Sequence, residues 1–429
     1  MLNKHIILTF LSLLTVILIV GCSDFLGSKS DRITDEIFEE GRQDPTQITD
    51  EIGYAALPFW SGFTKPTDVF VGFDELVYVT DEIGLHVLDR AGRVSNTIEF
   101  NGAVAVTQDR LLNVYVAARK DTVITAVDPD IVWNLPAVYK ISNANGAGPL
   151  EFVQTLVHPF MDASRATDAA RRFRLDRSRP DNEELVEITG LATLADNQLY
   201  VTRRGPRNQE NQAIATDNTV LVFTENRDSA GNRIGTMRNT SQVRALAPNV
   251  PSLRSGIALT DITTFVGPPQ RENMTSDLSF IITQGNENLN IPLRVLWIDA
   301  VLTPDGLEYR PRPNLLVQDT TRAQSFLYEQ FRFKNPTGVA YSADARAHIF
   351  VVDAATDSLY LFQSNGIEGI NPPPGSTAEK AINVSFGGTG NGPREFNNPS
   401  GVAYFRQVVY VADTDNNRIS RFKLNTDFE

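Results

Sequence analysis

The sequence predicts an all-β chain in which one small sheet is written several times, and three observations carry that expectation. Two near-copies of a single unit stand towards the C-terminus, "FKNPTGVAYSADARAHIFVVDAATDSLYLFQSNG" (Phe333 to Gly366) and "NNPSGVAYFRQVVYVADTDNNRISRF" (Asn397 to Phe422). A related unit, "FTKPTDVFVGFDELVYVTDEIGLHVLDRAG" (Phe63 to Gly92), opens the apolar part of the chain. A shorter piece recurs as well: "GAGPLEF" (Gly146 to Phe152) matches "GNGPREF" (Gly390 to Phe396) at five of seven places. Repetition at this spacing is the mark of units that cannot cover their apolar faces alone and are stacked or set in a ring.

Each unit has the same order of parts. A proline and a small residue introduce a first strand such as Gly401-Val402-Ala403-Tyr404. A turn leads to a second strand rich in β-branched and aromatic residues, which fit a pleated, buried surface. Six such centres align: Val77-Tyr78-Val79, Val114-Tyr115-Val116, Leu199-Tyr200-Val201, Phe280-Ile281-Ile282, Ile349-Phe350-Val351 and Val409-Tyr410-Val411. Their continuous apolar character predicts strands covered on both faces. Third strands such as Arg418-Ile419-Ser420-Arg421-Phe422 alternate instead, as half-exposed strands do.

The proline-led first strand and the Val-Tyr-Val-Ala-Asp centre resemble NHL repeats. The resemblance is strong over Lys65 to Gly92 and Phe333 to Leu424, and weaker between them. It implies a six-bladed β-propeller of four-stranded antiparallel blades, with seven blades as the alternative. From Tyr54 to Leu424 six blades leave about 62 residues each, longer than the roughly 40 to 50 of ordinary propeller repeats. The excess is expected in loops at Val153 to Glu184, Asn226 to Ser255, Thr303 to Gln324 and Gly366 to Glu379. The last unit ends one strand short. Its missing edge is expected from Tyr54 to Trp60, which closes the ring and leaves no unpaired sheet edge at the seam. Pro58 fits there only on the outward side of an edge strand.

Before this domain, Lys4 and His5 precede an apolar run from Ile6 to Val20, too short for a comfortable membrane span. It ends in Gly21-Cys22 and resembles a bacterial lipoprotein signal, which implies cleavage after Gly21 and lipid attachment at Cys22, the sole cysteine. The expected organisation is a signal peptide over 1–21, an acidic flexible tether over 22–53 and the propeller over 54–429. The tether carries too little apolar surface to offset its ordering entropy. Ser23 stands where an aspartate would signal inner-membrane retention, so the reading is an exported protein anchored to the envelope, at the outer membrane in preference to the inner. A net charge of -13 argues against nucleic acid as a partner.

The sequence shows no Gly-x-Ser-x-Gly elbow, no His-Glu-x-x-His and no phosphate-binding loop. Some propeller lyases that resemble this family use zinc held by several histidines; here only His86, His158 and His348 follow the signal. "DTDNN" (Asp413 to Asn417) lacks the sixth-place glycine and twelfth-place acid of a calcium loop. No cofactor is assigned, with a structural divalent ion in the channel left open. The residues two places after the six centres, where each central strand is expected to end, are Asp81, Ala118, Arg203, Gln284, Asp353 and Asp413. The resemblance makes Asp81, Asp353 and Asp413 turn-holding residues, with Arg418 as a partner. The three middle units depart from aspartate and gather Arg119, Lys120, Arg203, Arg204 and an insertion, "ARRFRLDRSRPDN" (Ala170 to Asn182). Arg119, Lys120, Arg203, Arg204 and Gln284 therefore form a candidate binding arc for an acidic partner or anionic glycan, against the plain reading of solvated loops on drifted repeats. The expected function is a monomeric, membrane-tethered, non-enzymatic binding or scaffold module for an envelope protein, peptide or glycan. The alternative is a metal-assisted hydrolase of lactonase type, or a lyase.

Overall fold

The computed structural model describes residues 53–165, 174–207, 216–243, 256–267, 277–372 and 377–425, of which 233–236 and 239–243 are described by backbone alone. All lie in the compact unit Glu51–Glu429. The signal segment, Cys22 and nearly all of the tether fall outside them. Among the described residues, no helix is long and apolar enough to cross a membrane.

The first strand, β1 (Gly53–Ser61), belongs to the last blade. Blade 1 is β2 (Asp68–Val71), β3 (Val77–Thr80), β4 (Gly84–Leu88) and β5 (Val94–Glu99). Blade 2 is β6 (Ala105–Gln108), β7 (Val114–Ile124), β8 (Asp128–Ser142) and β9 (Glu151–Val157). Blade 3 is β10 (Glu187–Thr193), β11 (Leu199–Arg204), β12 (Thr219–Arg227) and β13 (Arg233–Val243). Blade 4 is β14 (Leu259–Thr264), β15 (Phe280–Gln284), β16 (Val295–Thr303) and β17 (Gly306–Pro311). Blade 5 is β18 (Pro336–Tyr341), β19 (His348–Asp353), β20 (Ser358–Gln363) and β21 (Phe386–Gly387). Blade 6 is β22 (Pro399–Phe405), β23 (Val408–Asp413), β24 (Arg418–Asn425) and β1. Every pairing is antiparallel, and first strands of consecutive blades touch all the way round. This is a six-bladed β-propeller.

The seam closes as the sequence predicts. Strand β1 pairs with β24 from Gly53↔Asn425 to Ser61↔Arg418, and the register shifts between Leu57 and Trp60. Pro58 sits in that irregular stretch on the outermost strand, where its missing N–H breaks no ladder. Its carbonyl accepts from Arg421 Nε and Nη2 at 2.9 and 2.7 Å. Arg421 also lies over the Trp60 ring, and Trp60 packs against Tyr410.

All six second-strand centres predicted from sequence are second strands, and each is fully buried. Neighbouring blades cover both faces: Val87 and Ile98 of blade 1 share a core with Val106 and Val114 of blade 2. Each such aliphatic side chain contributes about 1.5–3 kcal/mol on burial.

The loop expectations need correction. Three stretches read as excess loop hold all or most of a fourth strand: most of β9 in Val153 to Glu184, β13 in Asn226 to Ser255, and β17 in Thr303 to Gln324. Strand β17 is mostly exposed and β9 buries only Leu156, so neither carries the apolar pattern that marks a strand. The recurring heptapeptide also has two different places. Gly390 to Phe396 leads into the first strand of blade 6, whereas Gly146 to Phe152 turns from β8 into β9 inside blade 2.

Candidate functional site

The six first strands surround a central channel, and one alignment of their residues organises it. Pro66-Thr67-Asp68, Ala103-Val104-Ala105, Ile188-Thr189-Gly190, Leu259-Thr260-Asp261, Pro336-Thr337-Gly338 and Pro399-Ser400-Gly401 occupy equivalent places. The middle residue of each triplet lies at the wide mouth, beside a cavity of about 350 Å³. There the hydroxyls form a belt from blade to blade. Thr67 Oγ1 donates to the Ala103 carbonyl at 2.9 Å, and Thr189 Oγ1 to the Leu259 carbonyl at 3.1 Å. Thr260 Oγ1 reaches the Pro336 carbonyl at 2.7 Å, and Thr337 Oγ1 the Pro399 carbonyl at 2.6 Å. Ser400 Oγ donates to the Pro66 carbonyl at 3.1 Å and completes the circuit at the seam. Only between blades 2 and 3 is the hydroxyl replaced, by Val104.

One step inward, at the waist, Asp68 and Asp261 stand on blades 1 and 4, half-way round the ring from each other, and line a common cavity of about 70 Å³. Each carboxylate spans a blade junction. Asp68 accepts from Val69 N at 2.8 Å and Val106 N at 2.9 Å. Asp261 accepts from Ile262 N at 2.7 Å and Val339 N at 2.8 Å. Glycines make room beside them: a Cβ on Gly401 would lie 2.6 Å from Asp68 Oδ1, and one on Gly190 2.8 Å from Asp261 Oδ1. Burial raises both carboxyls, against the lowering effect of the backbone N–H bonds. Asp68 is pushed up to about 7, and repulsion from Asp68 adds to the rise at Asp261. Two acids sharing a low-dielectric space titrate as a pair.

The candidate arc separates into three environments. Arg119 and Arg204 line the wide mouth, together with Glu187. Arg204 Nε is bonded to Glu187 Oε2, and Arg119 is bonded to Asn134 and to the Glu184 carbonyl. Lys120 is exposed outside that cavity. Arg203 and Gln284 are buried, with 0% and 2% exposure, and present no free surface to a partner. The described arginines of the insertion are also paired, Arg174 with Asp217, Arg177 with Glu184 and Arg179 with Asp181. Each described arginine of the stretch is thus matched by a carboxylate.

Arg203 belongs to a buried network that joins blade 3 to the insertion before it. Its guanidinium pairs with Asp162 and donates to Ser164 Oγ and to the carbonyls of Thr216 and Asp217. His158 bridges Asp162 Oδ2 at 3.1 Å and Glu183 Oε2 at 2.6 Å, and Arg165 pairs with Glu183 and Asp217. Burial would raise Glu183, but His158, Arg165 and Arg174 outweigh it and hold that carboxyl at about 2. His86 is beside Asp81, and His348 is buried in β19; neither these two nor His158 lines the channel cavities described above.

With this geometry in view, residues 396–422 match the NHL repeat family model. The NHL match spans β22, β23 and most of β24 of the last blade. No curated protein sequence matches the chain. Among solved structures it is similar to an auxiliary nutrient binding protein from Bacteroides ovatus ATCC 8483, at 10% identity and TM-score 0.45 over 87% of this chain and 77% of that one. A second such protein, from Bacteroides thetaiotaomicron VPI-5482, matches at 11% identity and TM-score 0.45, covering 84% and 69%. Virginiamycin B lyase from Staphylococcus aureus matches at 10% identity and TM-score 0.38, covering 87% and 100%. Likeness at this level assigns neither a ligand nor a reaction.

The last blade shows what the residue at the end of each second strand does. Asp413 accepts from Asn397 N, on the approach to the blade's first strand, and from Arg418 Nε at 2.7 Å across the following turn. Asp353 likewise holds Lys334 N and Asn335 N on one side and Ala355 N on the other. Asp81 holds Thr64 N, Ile83 N and Gly84 N. In blade 4 Gln284 takes over, its Oε1 accepting from Ile257 N at 2.7 Å. In blade 3 the sign is reversed: Arg203 is the donor and Asp162 the acceptor. Sequence reasoning missed this equivalence because it looked for aspartate rather than for any side chain able to tie the same two segments. It also missed Thr67, Asp68, Glu187, Thr189, Thr260, Asp261, Thr337 and Ser400, although the recurring Pro-Thr and Pro-Ser pairs were in view.

Proposed function

We propose that this protein is an exported, lipid-anchored binding module of the cell envelope that takes its ligand at the wide mouth of the propeller channel. The observation that carries the reading is the cavity of about 350 Å³ at that mouth, walled by residues from all six blades. Its size falls at the lower end of ligand pockets, roughly 300–1,000 Å³. It combines apolar walls from Val104, Ala118, Pro136 and Ile188 with a charged edge from Arg119, Arg204 and Glu187. That mixture suits recognition: apolar area supplies affinity and a few polar groups fix orientation. A tether of some thirty residues after Cys22 would hold the mouth clear of the membrane. The test is capture of envelope components by the full-length protein, compared with Glu187→Gln and Arg204→Gln variants. Weakened capture by either variant supports the reading, and unchanged capture by both refutes it.

A second reading, metal-assisted hydrolysis, has its own observation in the facing Asp68 and Asp261. Each of their four oxygens already accepts one backbone N–H. These two side chains would have to hold the ion with little help, because no group of three or more histidine, cysteine or acidic side chains is gathered among the described residues. A stoichiometric divalent ion in the purified full chain, lost in the Asp68→Asn variant, would favour this reading.

A further inference from the structure

The belt at the wide mouth has one missing rung, and the larger of the two channel cavities described above opens there. At five junctions a threonine or serine donates to the carbonyl of the first residue of the next blade's triplet. At the sixth, Val104 and Ile188 line the same cavity, and no side chain among the described residues donates to the Ile188 carbonyl. A valine has the shape of threonine but cannot donate. Nine of the thirteen residues around the wide-mouth cavity come from blades 2 and 3. Val104 keeps 38% of its surface exposed, unlike the buried valines of the blade cores.

The junction is held together by other means. At the wide mouth, Arg119 Nη2 donates to the Glu184 carbonyl at 2.7 Å and Asn134 N to Glu184 Oε1 at 2.9 Å. At the narrow end, Thr193 Oγ1 donates to the Gln108 carbonyl at 2.9 Å. A hydroxyl at position 104 is therefore not required for blades 2 and 3 to meet, and its absence leaves the Ile188 carbonyl without a side-chain donor beside aliphatic walls.

Resting on the binding reading above, we propose that the junction between blades 2 and 3 is a slot for a short neutral peptide, whose backbone N–H supplies the missing rung at the Ile188 carbonyl. An aliphatic side chain of the peptide packs against Val104, Ala118 and Pro136. The peptide carbonyl meets Arg204, whose charge is balanced by Glu187 and so demands no anion. A glycan is the poorer occupant, because no aromatic ring lines the cavity to stack on a sugar face.

The test uses the full-length protein, the blocked tripeptide N-acetyl-Ala-Val-Ala-amide, and chitobiose as the sugar comparator, with affinity read by calorimetry. Val104→Thr installs the hydroxyl that the other five junctions carry. It is expected to raise the melting temperature and to weaken the tripeptide at least tenfold. Thr193→Val weakens the same junction at its far end and is expected to lower the melting temperature while changing tripeptide affinity less than twofold. Absence of tripeptide binding to the unaltered protein overturns the proposal, as does undiminished binding to Val104→Thr. Chitobiose bound in place of the tripeptide, and lost in Arg204→Gln, would overturn this proposal while leaving the wide mouth as the binding site.

Discussion

Thr337 Oγ1 donates to the carbonyl of Pro399 at 2.6 Å, and with that bond blade 5 holds blade 6. Four equivalent bonds tie other junctions, so ring closure depends on hydroxyls as well as on apolar packing between sheets. Thr337→Val removes one rung while keeping the side-chain shape, and Val104 shows that valine is sterically acceptable at this level of the ring. The expected cost is about 1–2 kcal/mol, the loss of a hydrogen bond plus part of the desolvation of the abandoned carbonyl. Chemical denaturation measures it, and a midpoint equal to that of the parent protein would contradict the belt as a stabilising element.

The seam gives a larger effect. Removing Gly53–Ser61 exposes the edge of β24, deletes Tyr54 from a core containing Phe422 and Leu424, and removes Trp60 from its packing on Tyr410. Two buried aromatic side chains alone are worth several kcal/mol, at about 3–5 for each truncated to alanine. The truncated protein should melt far below the intact one and self-associate through the opened edge. Light scattering during thermal unfolding reads both. A truncated form that melts with the full chain would place the source of closure elsewhere.

These two predictions differ in how far the sequence foretold them. The seam was legible because the last unit visibly lacks a strand and Tyr54 to Trp60 visibly supplies one. The second strands were legible because burial on both faces demands uninterrupted β-branched and aromatic residues. Strand β17, with Leu307 exposed and Gly306 at its start, carries no such demand and reads as loop. The belt was spelled out in Pro66-Thr67, Pro336-Thr337 and Pro399-Ser400, but a hydroxyl gains its role only from the carbonyl that the next blade brings to it. Arg203 misled for the same reason. Its charge suggests a surface, while its partners Asp162 and Asp217 lie 41 and 14 residues away in sequence.

The channel acids predict a pH dependence of one sign. Burial raises the folded-state value of Asp68 to about 7, and Asp261 is raised beside it. An unfolded aspartate titrates near about 3.9. Between those limits the folded protein holds more protons than the unfolded chain, so the pair's contribution to stability is greatest in acid and declines as pH rises from about 4 to 7. Asp261→Asn removes the carboxyl that charges against Asp68. It should flatten this decline, and the melting temperature of the variant should gain on the parent by a few degrees on going from pH 5 to pH 8. Parallel melting curves for the two proteins across that range would show that neither the raised Asp261 carboxyl nor its repulsion of Asp68 contributes to stability.

Glu183 predicts the opposite sign in a lower window. Its carboxyl is held at about 2 because His158, Arg165 and Arg174 together overcome the cost of burial. Its contribution is complete above the unfolded value of roughly 4.3 and is lost as pH falls towards 2. Glu183→Gln keeps the shape and forfeits the charge, so the variant should be less stable at pH 6 and approach the parent near pH 2.5. Denaturant midpoints at the two pH values decide it, and an equal deficit at both would mean that charge pairing is not what Glu183 provides.

Arg203 and Arg204 are adjacent in sequence and should behave as opposites. Arg203 is fully buried, pairs with Asp162 and holds the carbonyls of Thr216 and Asp217. Arg204 points to the wide mouth, partly exposed, and pairs with Glu187 at its rim. Truncating a buried partner strands the opposite charge in a low-dielectric interior, which typically costs about 3–5 kcal/mol. An exposed pair is worth about 0–1 kcal/mol. Arg203→Ala should therefore unfold at markedly lower denaturant, and its residual folded fraction should still bind ligand at the mouth. Arg204→Ala should keep its stability and lose affinity. Thermal melts and binding measured on the same preparations separate the two effects. A stable Arg203→Ala protein with impaired binding would return that arginine to the ligand surface and remove it from the fold.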